Sequence, residues 1–334
     1  MQALEGKKKV LGAEHMSTLR TIGNLGNLYA DQGKPDEAEK MYMQALEGKK
    51  KALGAEHTSA LNTVSNLGIL YRNQGKLDEA EKMFMQALEG YTKTLGAEHT
   101  STLRTVNNLG SLYADQGEPD EAVKMYMQAL EGYTKILGAE HMSTLDTVYN
   151  LGSLYADQGK PEEAEKMYMQ ALEGYKKTLG AEHTSTLDTF NNLGSLYEDQ
   201  GKLEEAEKMY MQELDGYKKA MGPAYTSALS ALSTIWNLAI LFDRQHRMND
   251  ARPLYAESLS GYRQVLGDDH PNCQALRNSL AALAQKEDKL CAVTERGPEP
   301  THSRTQTILD SSAHHKSSSS RRRKILELFG RKRT

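Results

Sequence analysis

The chain has few of the residues that carry redox or metal chemistry. Cys273 and Cys291 are its only cysteines, too few for a disulfide framework or a zinc cluster. The sequence contains no run of about 18 apolar residues, so it predicts no membrane span, and its N-terminal residues do not predict a secretory leader. These absences favour a reducing compartment. We therefore expect a cytoplasmic protein, with nuclear entry through a basic C-terminal tail as the alternative.

Catalytic and nucleotide-binding motifs are also missing. The sequence contains no G-x-x-x-x-G-K-[ST], G-x-G-x-x-G, H-E-x-x-H or C-x-x-C, and nothing pairs a nucleophile with a base. Five histidines recur once per 42 residues, too far apart in sequence to gather around one metal ion, and we interpret them as junction or capping residues: His15, His57, His99, His141 and His183. We expect no enzyme activity, no catalytic or metal-binding residue and no cofactor.

Internal repetition is what the chain has in abundance. Glycine recurs every 42 residues, and an Asn-Leu-Gly-x-Leu-Tyr box keeps the same period; the glycines are Gly6, Gly48, Gly90, Gly132, Gly174 and Gly216. A fixed period of this size indicates stacked supersecondary repeats, each burying its apolar face against its neighbours. Such chains form extended surfaces, so we expect binding rather than catalysis.

Each repeat predicts two antiparallel helices of about 16 residues. In the repeat that opens at His57, Thr58 or Ser59 is expected to cap the first helix, and Gly68 lies on its packed side. Gly75 is expected to end this helix with left-handed backbone. The apolar stripes of the two helices are Leu61, Val64, Leu67, Leu70 and Tyr71, then Ala80, Phe84, Ala87 and Leu88. The predicted fold class is therefore an all-α solenoid.

The repeat resembles the tetratricopeptide repeat. The resemblance rests on Leu25-Gly26-x-x-Tyr29 and on the small–aromatic–small series Ala38, Tyr42 and Ala45. The longer unit, with Gln-Gly-Lys, Glu-Ala-Glu and Leu-Gly-x-x-His, is similar to the 42-residue variety of kinesin light chains and of the C-terminal arrays of many fungal NOD-like receptors. It covers residues 1 to 286. The resemblance implies a right-handed superhelix of antiparallel helix pairs, whose first helices line a concave peptide-binding groove.

The irregular ends divide the chain. We expect a partial repeat with only its second helix at residues 1–15, six helix pairs at 16–267, a closing helix at 268–286 and a disordered basic tail at 287–334. Residues 1–6 align with residues 43–48, the middle of a second helix. We therefore expect a fragment or truncated product whose first helix is poorly packed.

The repeats differ most at four positions of the first helix, those of Arg20, Gly23, Asn27 and Ala30. Steps of three, four and three residues place them on one helical face, which we call the variable stripe. Its candidate groove residues are Arg20, Arg72, Arg104, Tyr149, Asp188, Glu198 and Trp236. We expect these side chains to select a peptide; neutral drift at exposed positions is the alternative.

A second set of candidates keeps its identity from repeat to repeat. This asparagine row consists of Asn24, Asn66, Asn108, Asn150, Asn192 and Asn237. A carboxamide both donates and accepts, so it can pair with the backbone of an extended peptide; a helix-to-helix hydrogen bond is the alternative. The groove is basic or neutral near Arg20, Arg72 and Arg104. It becomes acidic around Asp146, Asp157, Asp188, Glu198 and Asp199, which predicts a dipolar peptide.

The sixth repeat departs from the others. We expect its three extra residues to lie between Leu229 and Leu238. Ala239 replaces the first-helix glycine of the other repeats, and His246 replaces the glycine that ends that helix. Its Trp236 is the only tryptophan. This repeat is interpreted as a capping unit, or as an anchor pocket in which Trp236 and Ile240 grip an apolar peptide side chain.

Charge reverses in the C-terminal tail. From residue 291 onward, ten Lys/Arg stand against four Asp/Glu. Basic runs at residues 321–324 and 331–333 flank an apolar stretch, which predicts a nuclear-import signal, a segment attracted to anionic lipid, or a solubilising tail.

Taken together, the repeats predict a non-catalytic scaffold that binds peptide segments of partner proteins. It is expected to serve as the sensing arm of a larger signalling receptor or, alternatively, as a kinesin-light-chain-like cargo adaptor. Its expected partners are proteins or peptides; nucleic acid and membrane are not expected, the basic tail excepted.

Overall fold

The computed structural model describes residues 2–295, with side chains from Leu4 to Glu287. Over these residues the chain forms fourteen α-helices and one short 3-10 helix, and no strand. The all-helical class predicted from the repeat is confirmed. The basic runs of the tail lie outside the described residues, and so does the disorder predicted for residues 296–334.

One helix, α1 (Gln2–Leu11), precedes six consecutive helix pairs, and α14 (Pro271–Glu295) follows them. We call the first member of each pair the A helix and the second the B helix. The pairs are α2 (Met16–Asp31) and α3 (Pro35–Leu53), α4 (Thr58–Asn73) and α5 (Leu77–Leu95), α6 (Thr100–Gln116) and α7 (Pro119–Leu137), α8 (Met142–Asp157) and α9 (Pro161–Leu179), α10 (Thr184–Asp199) and α11 (Leu203–Met221), and α12 (Leu229–Arg244) and α13 (Met248–Leu266).

Histidines cap the A helices. The imidazole Nδ1 of His57 accepts a hydrogen bond from the backbone N–H of Ser59 at 3.1 Å, and the same bond recurs at the other four periodic histidines. It satisfies one of the amides that a helix start leaves without a partner. The capping role predicted for the histidines is confirmed. The prediction that Thr58 or Ser59 caps the helix is wrong, because both residues already lie inside α4.

Glycine ends five of the six A helices. Gly75 has φ +74°, the left-handed backbone expected there, and the N–H of the next residue, Lys76, reaches back to the carbonyl of Tyr71 at 2.9 Å. In the sixth repeat the equivalent His246 adopts φ +60°. A side chain at such a φ costs about 1 kcal/mol or more.

Glycines also let the two helices of a pair approach closely. A Cβ at Gly68 would lie 2.7 Å from the Phe84 ring, and one at Gly90 would lie 2.5 Å from Leu61. Equivalent contacts recur in the first five repeats, so the two helices of each of these pairs approach closely at two glycine positions. The prediction that Gly68 lies on the packed side is confirmed.

The described residues divide into two compact units, one up to residue 174 and the other at residues 175–295; α9 contains the boundary. In the N-terminal unit, the core is a series of apolar clusters, such as that of Leu103, Val106, Ala129 and Tyr133. At its start, Leu4 of α1 is buried with Leu19 and Ile22. The poor packing predicted for the first helix stays a prediction.

The extra residues of the sixth repeat lie before its A helix, not within it. A 3-10 helix at Gly222–Ser227 precedes α12, which has the same 16 residues as α10. A Cβ at Gly261 would meet Leu232 at 2.2 Å, as one at Gly216 would meet Leu187 at 2.3 Å. This match aligns Leu232 with Leu187. The insertion predicted between Leu229 and Leu238 is therefore wrong.

The last helix extends beyond the predicted closing helix. The sequence placed that helix at residues 268–286, whereas α14 runs Pro271–Glu295. The first nine residues of the segment predicted as tail are thus helical.

Among the described helices, none alone is long and apolar enough to span a membrane; the bent pair Leu203–Ser227 and Leu229–Arg244 reaches that threshold only when the two are taken together.

Candidate peptide-binding face

The A helices of the N-terminal unit lie side by side. Helix α2 contacts α4, α4 contacts α6, and α6 contacts α8. Side chains join them across the surface: Asn66 donates to Asn27 at 3.2 Å, and Thr147 Oγ1 donates to Asn107 Oδ1 at 3.0 Å. We call the surface of α2, α4, α6 and α8 the A-helix face. It carries every predicted groove residue up to Asn150.

The asparagine row lies on this face at the water boundary. Asn24 is exposed, and Asn66, Asn108 and Asn150 are half-buried. The carboxamides of Asn24 and Asn108 make no hydrogen bond within the described residues. Asn66 partly fits the alternative, a helix-to-helix hydrogen bond, because its amide donates to Asn27 on the neighbouring A helix. In the C-terminal unit, Asn192 and Asn237 are both half-buried.

Three candidates of the variable stripe are already engaged in the N-terminal unit. Arg72 Nε lies 3.3 Å from Asp115 Oδ2 on the next A helix. Arg104 donates to Asn62 Oδ1 at 3.1 Å. The Tyr149 ring packs on Tyr168 of the B helix, with 5.7 Å between ring centroids.

Arg20 differs from those candidates. It is exposed, and its guanidinium has no partner within the part of the chain that the structure describes. It borders a hollow of about 270 Å³ lined by Met16, Ser17, Arg20 and Ser59. This hollow lies where α2 and α4 begin, at one end of the A-helix face.

Beneath this end of the face lies a buried lysine that the sequence prediction did not assign to the site. Lys49 of α3 is 7% exposed. Its Nζ donates to Thr63 Oγ1 at 2.8 Å and to the Ser59 carbonyl at 3.2 Å. Burial lowers the pKa of Lys49 below its ordinary value. Alignment of the repeats could have revealed this lysine, because the later repeats have tyrosine at its position: Tyr91, Tyr133, Tyr175 and Tyr217.

In the C-terminal unit, Glu198 is held inside the protein. It is 8% exposed, accepts a hydrogen bond from the Tyr210 hydroxyl at 3.1 Å, and pairs with Arg244 at 2.5 Å. Because Glu198 is paired with Arg244 and Arg72 is paired with Asp115, these two residues contribute less to the predicted charge gradient than the sequence suggested. Asp188 is exposed.

The predicted anchor residues of the sixth repeat are only half-buried. Trp236 meets Tyr262 edge-on, with 6.0 Å between ring centroids, and its buried indole N–H has no hydrogen-bond acceptor among the described residues. Ile240 is half-buried on the same helix. The aromatic contact holds the indole against its own B helix.

A second buried charged residue escaped the sequence prediction. Glu213 of α11 is 1% exposed and stands where earlier repeats have alanine (Ala45, Ala87, Ala129 and Ala171). Its Oε2 accepts a hydrogen bond from Asn191 Nδ2 at 2.9 Å. Burial raises the pKa of Glu213 to about 8, so its carboxyl group is mostly protonated at neutral pH.

Within the described residues, no group of three or more His, Cys, Asp or Glu side chains is arranged to hold a metal ion.

Comparison with known families identifies the repeat. Models described as tetratricopeptide repeat match residues 18–59, 59–135, 143–219 and 232–272, more than half of the chain. The chain belongs to the tetratricopeptide repeat (TPR) family. The predicted fold class, an all-α TPR solenoid of adjacent helix pairs, is confirmed. TPR folds generally act as non-catalytic scaffolds for protein–protein interaction. None of the curated proteins matches this chain in sequence.

Solved structures refine the type of TPR. A kinesin-light-chain-like protein of Podosopora anserina with nearly identical TPR-like repeats is 26% identical, with a TM-score of 0.55 over 63% of this chain and 99% of that chain. The repeats here are accordingly of the kinesin-light-chain-like type.

Two more distant structures share the fold alone. One is the signal transduction ATPase with numerous domains PH0952 of Pyrococcus horikoshii, which has a TPR sensor; it is 16% identical, with a TM-score of 0.65 over 81% of this chain and 39% of that chain. The other is a Rap protein complexed with competence and sporulation factor. It is 15% identical, with a TM-score of 0.55 over 84% of this chain and 83% of that chain.

Proposed function

We propose that the A-helix face of this TPR chain binds an extended peptide segment of a partner protein. The observation that carries the proposal is the pair of unengaged carboxamides at Asn24 and Asn108. They occupy the same register of repeats 1 and 3, and each offers a donor and an acceptor to a peptide backbone. Asn66 between them is held by one 3.2 Å hydrogen bond, which a peptide can replace at small net cost.

Selectivity is assigned to the variable stripe beside that row. The Arg72–Asp115 pair is partly buried between two neighbouring A helices, with 17% of the Arg72 side chain and 29% of the Asp115 side chain exposed. An incoming carboxylate must therefore replace Asp115 as the partner of Arg72. Tyr149 offers an aromatic surface, since its ring is only half-buried against Tyr168. Glu198 is less suited to selection because Arg244 and Tyr210 already hold it.

The test is selection from a displayed library of random peptides, followed by affinity measurement on the full chain. Asn24→Ala combined with Asn108→Ala should weaken the selected peptides about tenfold or more, the equivalent of one or two lost hydrogen bonds. Asn249→Ala is the matched control, because Asn249 is an exposed asparagine on the B helix α13. Circular dichroism should show unchanged helicity. Unweakened capture by the double variant would refute the proposal.

Exchanges between repeats test selectivity. Arg72→Ala and Tyr149→Asn introduce the residues that other repeats carry at those positions (Ala114 and Asn107). They should change which peptides are selected without reducing the number of binders. Selection of the same peptides by all variants would show that the variable stripe does not read the ligand.

The cellular context we propose is the sensing arm of a larger signalling receptor. The TPR sensor of the Pyrococcus horikoshii ATPase supports it through likeness of fold. The alternative is a cargo adaptor, supported by likeness to the kinesin-light-chain-like protein of Podosopora anserina. Gene sequence upstream of Met1 discriminates between them: a P-loop ATPase favours the receptor, and a heptad coiled coil favours the adaptor.

We further propose a cytoplasmic location. Imaging of the full chain, compared with a chain that lacks residues 317–334, tests this and the tail together. Nuclear accumulation that disappears on deletion would assign import to the tail, and membrane staining that disappears would assign lipid attraction.

A further inference from the structure

A buried cation without a counter-ion lies at the start of the A-helix face. Lys49 is 7% exposed, and its ammonium donates to a hydroxyl and a carbonyl, Thr63 Oγ1 and the Ser59 backbone. No carboxylate pairs with it within the described residues. An ammonium has three N–H donors, and charged groups this buried are normally paired. Two neutral acceptors leave one donor and the full charge of Lys49 without compensation.

The surface above this lysine is open at one point. A Cβ placed on Gly23 would lie 3.9 Å from Lys49 Nζ. Every other repeat has a larger side chain at the position of Gly23: Ser65, Asn107, Tyr149, Asn191 and Trp236. Glycine and lysine therefore occur together in the first repeat alone. A ligand group in the space where those side chains lie comes within reach of the ammonium.

A second cation borders the same place. Arg20 is one helical turn before Gly23 on α2 and lines the 270 Å³ hollow together with Ser59, the residue whose carbonyl accepts from Lys49. Its guanidinium is exposed and has no partner among the described residues. The nearby Glu14 is engaged elsewhere, by Lys51 at 2.5 Å. Arg20 thus lines the hollow, Lys49 lies behind it through the Ser59 carbonyl, and no carboxylate among the described residues lines it.

We propose that this hollow is an anion subsite, in which an anionic side chain of the bound peptide lies between Arg20 and the ammonium of Lys49. The subsite rests on the proposed peptide-binding function. It implies that the bound peptide has a carboxylate or a phosphate on the residue that contacts repeat 1. Arg20 suits such a group because a guanidinium binds it through two parallel hydrogen bonds.

The test uses a peptide selected on the full wild-type chain, together with its variant in which each acidic residue in turn is replaced by the neutral amide. Lys49→Tyr introduces the residue of the later repeats, so the fold tolerates it, and Arg20→Asn introduces the residue of repeat 2, Asn62. Each should weaken the acidic peptide about tenfold. Lys50→Thr is the control, because it removes a charge from the adjacent residue and introduces the residue found at Thr92; it should change affinity less than twofold.

A double-mutant cycle separates contact from general charge. On the Lys49→Tyr chain, neutralising the acidic peptide residue that matters for the wild type should weaken binding little further. Replacing that residue by phosphoserine distinguishes the two anions: tighter binding than the carboxylate peptide assigns the subsite to phosphate, and weaker binding assigns it to carboxylate. Peptides that bind the wild-type and the Lys49→Tyr chain equally would overturn the subsite and leave the peptide-binding function intact. Failure to select any peptide would instead overturn the function itself.

Discussion

Glu213 should make the stability of the C-terminal unit depend on pH. It is 1% exposed on α11, and burial raises the pKa of Glu213 to about 8 from an ordinary 4.5. Three neighbours adjust this value. Hydrogen bonds from Asn191 of α10 and Thr234 of α12 lower the pKa, and the charge of Asp188 on α10 raises it further. The tyrosine one turn along α11, Tyr217, has a pKa raised by burial and by Glu213 itself.

The sign and size follow from proton linkage. Between pH 4.5 and about 8 the folded chain keeps a proton on Glu213 that the unfolded chain has released. The free energy of unfolding therefore falls as pH rises, by about 1.4 kcal/mol per pH unit in the middle of this window. Below the window Glu213 contributes no penalty. Above it the penalty is fully present, on the order of 5 kcal/mol as an upper bound.

The perturbation is Glu213→Gln, which keeps the shape and remains neutral at every pH. Trp236 is the only tryptophan and lies on α12 two residues from Thr234, so its fluorescence reports unfolding where Glu213 lies. Denaturant titrations at pH 5.5, 7 and 8.5 should give a wild-type stability that falls by several kcal/mol relative to the variant, on the order set by linkage.

A matched control separates this effect from general charge. Asp215→Asn removes a carboxylate from the same helix, but that carboxylate is exposed and paired with Lys219. It should leave the wild-type pH dependence unchanged. Parallel pH profiles for the wild type and Glu213→Gln between pH 5.5 and 8.5 would refute the reasoning, since they would show that Glu213 is ionised in the folded chain throughout.

Two further predictions use the repeats as internal controls. Tyr71→Phe should lower the free energy of unfolding by about 1 kcal/mol, because the Tyr71 hydroxyl donates to Glu39 at 2.9 Å. Tyr155→Phe should cost almost nothing, since Val123 stands where that glutamate would be and the Tyr155 hydroxyl has no partner among the described residues; equal costs in thermal unfolding would contradict this. His246→Gly should stabilise the sixth repeat by about 0.5 kcal/mol, because it removes a side chain from φ +60°, and a lower midpoint of Trp236 fluorescence would contradict this.

The helices were predictable because every repeat states them again. Gly68 against Phe84 and the positive φ of Gly75 depend only on spacing within one repeat, and spacing is visible in the sequence. Errors arose where two solutions fit the same spacing. Ser59 is a good capping residue by type, yet the imidazole of His57 reaches its N–H. Leu229 and Leu232 both fit an apolar stripe, and only the packing of Gly261 on Leu232 shows where the extra residues lie.

The candidate site was less predictable, because its residues are defined by contacts between repeats. A single helical wheel places Arg72 and Glu198 on the variable stripe but does not show their partners. Those partners, Asp115 and Arg244, lie 43 and 46 residues away on the next A helix. Asn24 and Asn108 remain unengaged because no side chain of the adjacent A helix reaches them. Which candidates are available to a ligand is therefore a property of packing.

Two core positions hold an ionisable residue where other repeats have an uncharged one: Lys49 replaces a tyrosine and Glu213 replaces an alanine. The two residues avoid an uncompensated buried charge in different ways. Glu213 avoids an unpaired buried charge by keeping its proton. Lys49 keeps two neutral acceptors and an opening at Gly23, which leaves its charge to be compensated by a ligand. A ligand that binds only the folded state stabilises it by mass action. A saturating acidic peptide should therefore raise the thermal midpoint of the wild type more than that of Lys49→Tyr, and equal shifts would show that the Lys49 charge is not part of the binding site.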